Sequence, residues 1–339
     1  MTTEQFKPFE LSEIEKALQS LDGRVIETPV VQLNSERMAE YLPRGADIRM
    51  KLELMQHAGS FKARGALLNI DRLDDDQRSR GVTAVSAGNH ALAVSWAAKV
   101  AGISAKVVMP NTADPMRISG CDRLGAEVVR VDDVHQAFDE VERIEREEGR
   151  FFIHPFEGPV TAMGTATCGL EFIRQVPDME VAVIPIGGGG LIAGMAQAIK
   201  IVNPDCRVIG VEPLGADSMT RSFRAGRPVE IEKVTTIADS LGAPKALPYS
   251  FAAARAFVDD IVLIDDDRMR KAMALLFNSL KIAAEPAGAA TTAALMGPLK
   301  QTVAGKRVGI ICCGSNIGAA SFAKFVVSGM SLMAKEKNK

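Results

Sequence analysis

The sequence predicts an α/β protein with two open, mainly parallel twisted sheets and helices on both faces. Three observations predict it. Short strand-like runs such as Val82-Thr83-Ala84-Val85 and Val181 to Ile186 alternate with longer helical stretches along most of the chain. That alternation implies parallel sheets covered on both faces. Glycine-rich or capping segments follow several of the strands or open helices, at the strand ends where ligands gather in such folds.

The elements follow in order. Ser12-Glu13-Ile14-Glu15 reads as a capping box opening a helix to about Leu21. Thr28-Pro29 starts an extended, irregular stretch. Arg49 to Leu54 alternates like a strand, and a helix runs from Lys62 to about Leu73. Strand 82–85 precedes a helix from Asn89 to Val100. Strand 105–109 precedes a helix from Pro115 to Leu124. Strand 127–131 precedes a helix from Val134 to Glu147, and Phe151-Phe152-Ile153 is a fourth short strand. Next come helix 161–175, strand 181–186, helix 191–201 and strand 207–211. Strand 261–264, helix 266–280 and strand 307–311 follow. The loop His154-Pro155-Phe156-Glu157-Gly158-Pro159 breaks the pattern into blocks of roughly 80–158 and 159–330.

The 339 residues allow two domains of ordinary size. Apolar residues make up 47% and charged residues 24%, and the net charge is −2 with signs interspersed. That balance gives no nucleic-acid or membrane-surface footprint. Five cysteines (Cys121, Cys168, Cys206, Cys312, Cys313) show no CxxC spacing, and residues 1–9 lack the apolar core of a secretory leader. Reduced thiols in a cytoplasmic protein are the expectation. No apolar run reaches membrane-spanning length. Four histidines form no ligand cluster, which argues against a zinc enzyme. The basic end, Lys335 to Lys339, reads as a frayed tail.

Chemistry concentrates in five places. Lys62 follows Gly59-Ser60-Phe61 at the start of a helix. The helix dipole disfavours an ammonium there, which helps a lysine spend time as the neutral amine that attacks carbonyls. Gly187-Gly188-Gly189-Gly190 follows an apolar strand and opens a helix at Leu191, so its backbone N–H groups can crowd around a phosphate. Ser86-Ala87-Gly88-Asn89-His90 offers a helix N-terminus, a hydroxyl and an amide, a set suited to a carboxylate and a ring hydroxyl. Glu285-Pro286 places an acid before an apolar helix, and Cys312-Cys313-Gly314-Ser315-Asn316 follows the last strand. One competing reading exists. Gly188, Gly190 and Ala193 satisfy a dinucleotide fingerprint, with Glu212 ending the next strand. It would indicate a nicotinamide-dependent oxidoreductase, but leaves Lys62 unexplained.

Taken together, these motifs resemble the fold type II (tryptophan-synthase-β-like) pyridoxal-phosphate enzymes, most closely the serine/threonine dehydratase and serine racemase group. Order and spacing agree from about Phe9 to Val327. The resemblance implies a discontinuous large cofactor-binding domain (1–79 plus 159–330), a small mobile domain (80–158) and a C-terminal tail (331–339). It implies pyridoxal 5'-phosphate as cofactor, with Lys62 as Schiff-base lysine and catalytic acid/base. Phe61 packs beside the cofactor, Asn89 bonds its ring hydroxyl, and Gly187, Gly188, Gly189, Gly190 and Leu191 hold its phosphate. Glu285 lies in the cofactor site and Cys313 faces the pyridine nitrogen. Ser86, Ala87, Gly88, Asn89 and His90 take the substrate carboxylate.

Two departures matter. Racemases of the group carry a second serine where this chain has Ala87, so racemisation loses its second acid. Relatives with a divalent cation use ligands resembling Glu212, the Ala216 carbonyl and an acid where this chain has Ser218. Oxygen ligands there would suit Mg2+ or Ca2+. The regulatory domain of biosynthetic threonine dehydratases is not expected. The expected function is β-elimination of water from a 3-hydroxy amino acid, giving a 2-oxo acid and ammonia. L-Threonine and L-serine are the default substrates, 3-hydroxyaspartate the alternative, and a racemase-like isomerase the further one. A cytoplasmic homodimer is expected. A non-enzymatic amino-acid or cofactor sensor is the remaining class.

Overall fold

The computed structural model describes residues 6–337. Its strands are β1 (Val30–Gln32), β2 (Asp47–Lys51), β3 (Val82–Val85), β4 (Ala105–Pro110), β5 (Glu127–Val131), β6 (Phe151–Phe152), β7 (Val181–Pro185), β8 (Arg207–Pro213), β9 (Asp260–Ile264) and β10 (Arg307–Ile311). They form a six-stranded sheet in the order β1-β2-β10-β7-β8-β9 and a four-stranded sheet in the order β5-β4-β3-β6. All neighbours are parallel except β1 and β2. β3 and β7 are buried at every residue, as parallel strands covered on both faces must be. The fold is the expected one.

Common strand direction puts the carboxyl ends of β3, β7 and β10 on one side of their sheets. Ser86, Gly187 and Cys313 leave from those ends. The helix Pro286–Met296 lies across β7, β8, β9 and β10 and is buried from Pro286 to Leu295.

The helix Lys62–Asp71 is anchored by charge and by glycine. Arg64 is fully buried and takes Glu53 through two bonds, Nε to Oε2 at 2.9 Å and Nη2 to Oε1 at 2.8 Å. Its Nη1 lies 2.9 Å from Glu171 Oε2. Lys51 also donates to Glu171 and, at 2.7 Å, to the Thr28 carbonyl. These buried charges are paired, as their burial requires. A Cβ on Gly164 would sit 2.4 Å from Gly65 Cα, so this helix and Pro159–Gln175 cross where neither has a side chain.

Several expectations need correction. The first helix is Leu11–Ser20, and its capping box is Glu10 with Glu13 rather than one starting at Ser12. Glu13 Oε2 accepts from the Glu10 N–H at 2.8 Å. The stretch after Thr28 contains a strand, because Val30–Gln32 pairs with β2. β2 stops at Lys51: Leu52 turns to φ −96°, ψ 61°, and the Glu53 carboxylate is drawn into the buried cluster. The C-terminal segment is helical from Ala319 to Lys337, with Lys271 Nζ donating to Glu336 Oε1 at 2.6 Å. Only Asn338 and Lys339 of the expected tail lie outside the described residues.

Candidate active site

One cavity, of about 250 Å³, is lined by Phe61, Lys62, the loop 86–90, the segment 187–191, Glu285 and Cys313. The structure thus gathers the expected cofactor and substrate residues from five separate stretches of chain. A larger cavity of about 370 Å³ beside the helix Leu11–Ser20 is lined by Glu15, Asp22, Glu27, Glu171 and Arg174, among others. It has neither a lysine nor a glycine cradle, so the chemistry singles out the smaller one.

Lys62 opens its helix half-buried, with Nζ on the cavity. Burial lowers its pKa to about 8, against the raising pull of Cys313 and Glu285. Its hydrogen bond goes to the Pro155 carbonyl. Nζ lies 5.0 Å from the Phe61 ring centroid.

The glycine segment leaves β7 and enters the helix Gly190–Val202. Gly189 has φ +93°, a conformation that side chains rarely adopt. A Cβ on Gly188 would lie 2.3 Å from the Phe156 ring, and one on Gly190 would lie 2.6 Å from the Phe156 carbonyl. Ala193 N–H bonds back to Gly189 O at 2.9 Å. The N–H groups of the helix's first turn before it have no intrahelical acceptor. They form an anion cradle at the positive end of a dipole.

Ser86 Oγ accepts from Gly88 N–H at 3.0 Å, which curls the loop into the helix Asn89–Ala101. The His90 ring turns away and its Nε2 lies 2.7 Å from the Ile153 carbonyl. Burial holds its pKa down at about 3, with Lys62 pushing the same way. The neutral imidazole is therefore committed to Ile153, and His90 can serve a carboxylate only through its backbone. His154 is also held down to about 3, mainly by burial. Its Nδ1 accepts from Phe156 and Glu157 N–H at 3.2 and 2.9 Å, fixing the loop that carries Pro155. Glu157 then caps the helix Pro248–Phe257 by accepting from Tyr249 N–H at 2.6 Å and Ser250 N–H at 3.1 Å.

Asn89 Nδ2 donates to Glu285 Oε1 at 2.6 Å and faces Ser240 Oγ at 3.2 Å, while Asn89 Oδ1 accepts from Asn316 Nδ2 at 2.7 Å. Burial raises the Glu285 carboxyl to about 7, against the lowering pull of Arg117. The Cys313 thiol is pushed up by burial and stays neutral.

Sequence reading missed Arg117, which lines the cavity and is 4% exposed. No motif marks it. Its Nε donates to the Asn316 carbonyl at 2.7 Å and its Nη1 to Asp239. The facing wall is 239–244, within the stretch Thr236 to Pro244 that the sequence reading expects to line the substrate pocket.

Glu212, Ala216 and Ser218 lie outside this cavity. Glu212 is buried and accepts from Met219 N–H at 2.8 Å, Thr220 N–H at 2.7 Å and the Thr220 hydroxyl at 2.6 Å. It serves as cap to the helix Ser218–Ala225. Ser218 Oγ donates to the Ala243 carbonyl at 3.2 Å. With one carboxylate, already facing N–H and O–H donors, these residues do not fit a divalent cation. Among the described residues no three His, Cys, Asp or Glu side chains are grouped to hold a metal.

The cavity fits pyridoxal phosphate: a half-buried lysine of lowered pKa, a backbone cradle for a phosphate, an amide for a ring hydroxyl and a neutral thiol. Comparisons with known proteins agree. The family model "Pyridoxal-phosphate dependent enzyme" matches residues 21–314. Phenylserine dehydratase of Ralstonia pickettii is 54% identical over 285 residues, covering 84% of this chain and 87% of that protein. L-Threonine ammonia-lyase of Thermotoga maritima is 39% identical, over 84% and 71% of the two chains. The structure of maize serine racemase superposes with a TM-score of 0.88 at 33% identity, over 98% of this chain and 100% of that one. The chain belongs to the pyridoxal-phosphate-dependent enzyme family.

Proposed function

We propose that this chain eliminates water from a 3-hydroxy amino acid whose β-carbon carries an apolar, aryl-sized group. The reaction class follows from its relatives: it is a pyridoxal-phosphate-dependent ammonia-lyase acting by β-elimination on a hydroxy amino acid. The bound cofactor would supply the electron sink.

The chain's own residues supply the rest. The glycine cradle 187–190 and Leu191 would hold the phosphate. The loop 86–90 would hold the substrate carboxylate by backbone N–H and the Ser86 hydroxyl. The neutral Cys313 thiol would leave a pyridine nitrogen uncharged.

The observation that carries the substituent is the wall of Val85, Pro110, Ala137 and Phe138, all from the four-stranded unit, on the same cavity as the loop 86–90. A phenyl ring would cover that wall, whereas the side chains of threonine and serine would leave most of it wet. The similarity to phenylserine dehydratase supports the same choice. 3-Hydroxyaspartate fits less well, because the cavity's guanidinium, Arg117, is already engaged by Asp239 and the Asn316 carbonyl. Racemisation remains the second reading, given racemase relatives. Ala87 offers no proton to the opposite face of Cα. The described helices include none long and apolar enough to cross a membrane. Five unpaired, buried cysteines support a reducing compartment such as the cytoplasm, and a homodimer is the proposed assembly.

The test is 2-oxo acid release from 3-phenylserine, L-threonine, L-serine and 3-hydroxyaspartate by the holoenzyme. Apolar contacts of this kind discriminate by about 10–200-fold, so kcat/KM for phenylserine should exceed that for threonine by at least about tenfold. Equal or reversed values would overturn the aryl assignment and return threonine to first place.

A further inference from the structure

The Asn89 amide is held at both ends by residues from outside the four-stranded unit, Glu285 at Nδ2 and Asn316 at Oδ1. One side chain touches both of those holders. Arg117 donates from Nε to the Asn316 carbonyl at 2.7 Å, and its Nη2 lies 3.5 Å from Glu285 Oε2. A further bond reaches Asp239 from Nη1. Arg117 itself sits on the helix Pro115–Arg123, between β4 and β5 of the four-stranded sheet. Its guanidinium thus spans from one sheet unit to three residues of the other.

The same helix turn makes a second crossing, since Asp114 Oδ2 accepts from Gly318 N–H at 3.0 Å. The guanidinium also borders the substrate loop: Nη1 lies 3.5 Å from the Ala87 carbonyl, and a Cβ on Gly88 would come within 2.8 Å of it.

We propose that Arg117 is a positioning residue that couples docking of the four-stranded unit to the setting of the Asn89 amide. The inference rests on the reading that Asn89 bonds the cofactor's ring hydroxyl. A planar fork with five donors can serve three acceptors at once, which a lysine ammonium on a flexible stem does not reproduce. Arg117 is also the cation facing Glu285 Oε2. Arg117 pulls the Glu285 carboxyl back toward its ionised form, so without it more of this buried group is protonated. A protonated Glu285 is a donor as well as an acceptor, so it holds Asn89 Nδ2 less firmly than the charged carboxylate does. The amide is then held firmly only at Oδ1, by Asn316. Its second Nδ2 hydrogen, directed to Ser240, is the one a ring oxygen would use.

The test compares Arg117→Gln, Arg117→Lys and Asp239→Asn holoenzymes. The readouts are the ratio of the two tautomer bands of the bound cofactor without substrate, its dissociation constant, and kcat and KM separately. Arg117→Gln should change the band ratio and lower kcat by about tenfold or more, the scale of losing a hydrogen bond to a charged group. Arg117→Lys should change both in the same direction by less. Asp239→Asn leaves the Asn316 and Glu285 contacts in place and removes a charge that pushes the Glu285 carboxyl up, so it should raise KM and move the band ratio, if at all, opposite to Arg117→Gln.

If Arg117→Gln does not fold, Arg117→Lys decides. A wild-type band ratio and kcat in the Arg117 variants, with only thermal stability lost, would reduce Arg117 to a structural ion pair. An Asn89→Ala holoenzyme with an unaltered spectrum would instead remove the underlying reading of Asn89. That outcome is distinguishable, because it does not involve Arg117.

Discussion

The half-buried ammonium of Lys62 donates to the carbonyl of Pro155, and among the described residues no carboxylate lies within ion-pair distance of it. A neutral acceptor compensates little for desolvation, so the pKa falls from its ordinary 10.5 to about 8. A group whose folded pKa is lowered adds stability above the unfolded value and loses it as pH falls through the folded one. Cofactor-free protein should therefore gain stability from Lys62 as pH rises from 8 to 10.5, by no more than about 3 kcal/mol. Lys62→Met should be the more stable chain below that window, and the difference should shrink through it in thermal melts. A constant difference would mean that Lys62 is not held as described. Lys62→Ala holoenzyme should show no lyase activity, and full activity there would sink the assignment.

The resemblance implies a serine in racemases at the loop position that Ala87 occupies here. Placing a hydroxyl there restores a proton donor on the second face of Cα. We predict that Ala87→Ser gains racemisation of L-serine, since one acid–base group is worth roughly 10²–10⁴-fold. Chiral chromatography of the recovered amino acid measures it. No rise in the D-enantiomer, with elimination intact, would show that the second acid must come from elsewhere.

Arg64 holds Glu53 and Glu171 together with no exposed surface. Removing it leaves two buried carboxylates short of a partner. Arg64→Met should cost about 3–5 kcal/mol, read as a lowered midpoint in denaturant. A loss under about 1 kcal/mol would mean that Lys51 alone balances the cluster.

The Glu212 carboxylate and the Thr220 N–H form a cap at 2.7 Å where relatives are expected to hold a cation. Mg2+ or Ca2+ should leave the melting temperature of the holoenzyme unchanged, and a chelator should leave its activity unchanged. A saturable rise in melting temperature with either ion would contradict the cap. Burial pushes this carboxyl up to about 7 against three hydrogen bonds. A raised folded pKa contributes stability that is lost as pH rises from 4.5 through 7. Glu212→Gln should flatten that part of the pH profile.

Much of this protein is local and therefore legible in its sequence. Strand runs such as Val181 to Ile186 and the glycines that follow depend on neighbours within a few residues, so they fixed the α/β class and the phosphate cradle. Lys62, Asn89 and Cys313 could be named because each sits in a short motif beside a strand end or helix start. What only the tertiary structure decided has partners far away in sequence. Arg117 meets Asn316 199 residues later and Asp239 122 residues later, and no local pattern records such a pairing. The turn of His90 toward Ile153, the use of Glu212 as a cap and the apolar wall of Val85, Pro110, Ala137 and Phe138 have the same origin. Each depends on which strand ends the parallel register brings together, and that register is set by packing of the whole core rather than by any one segment.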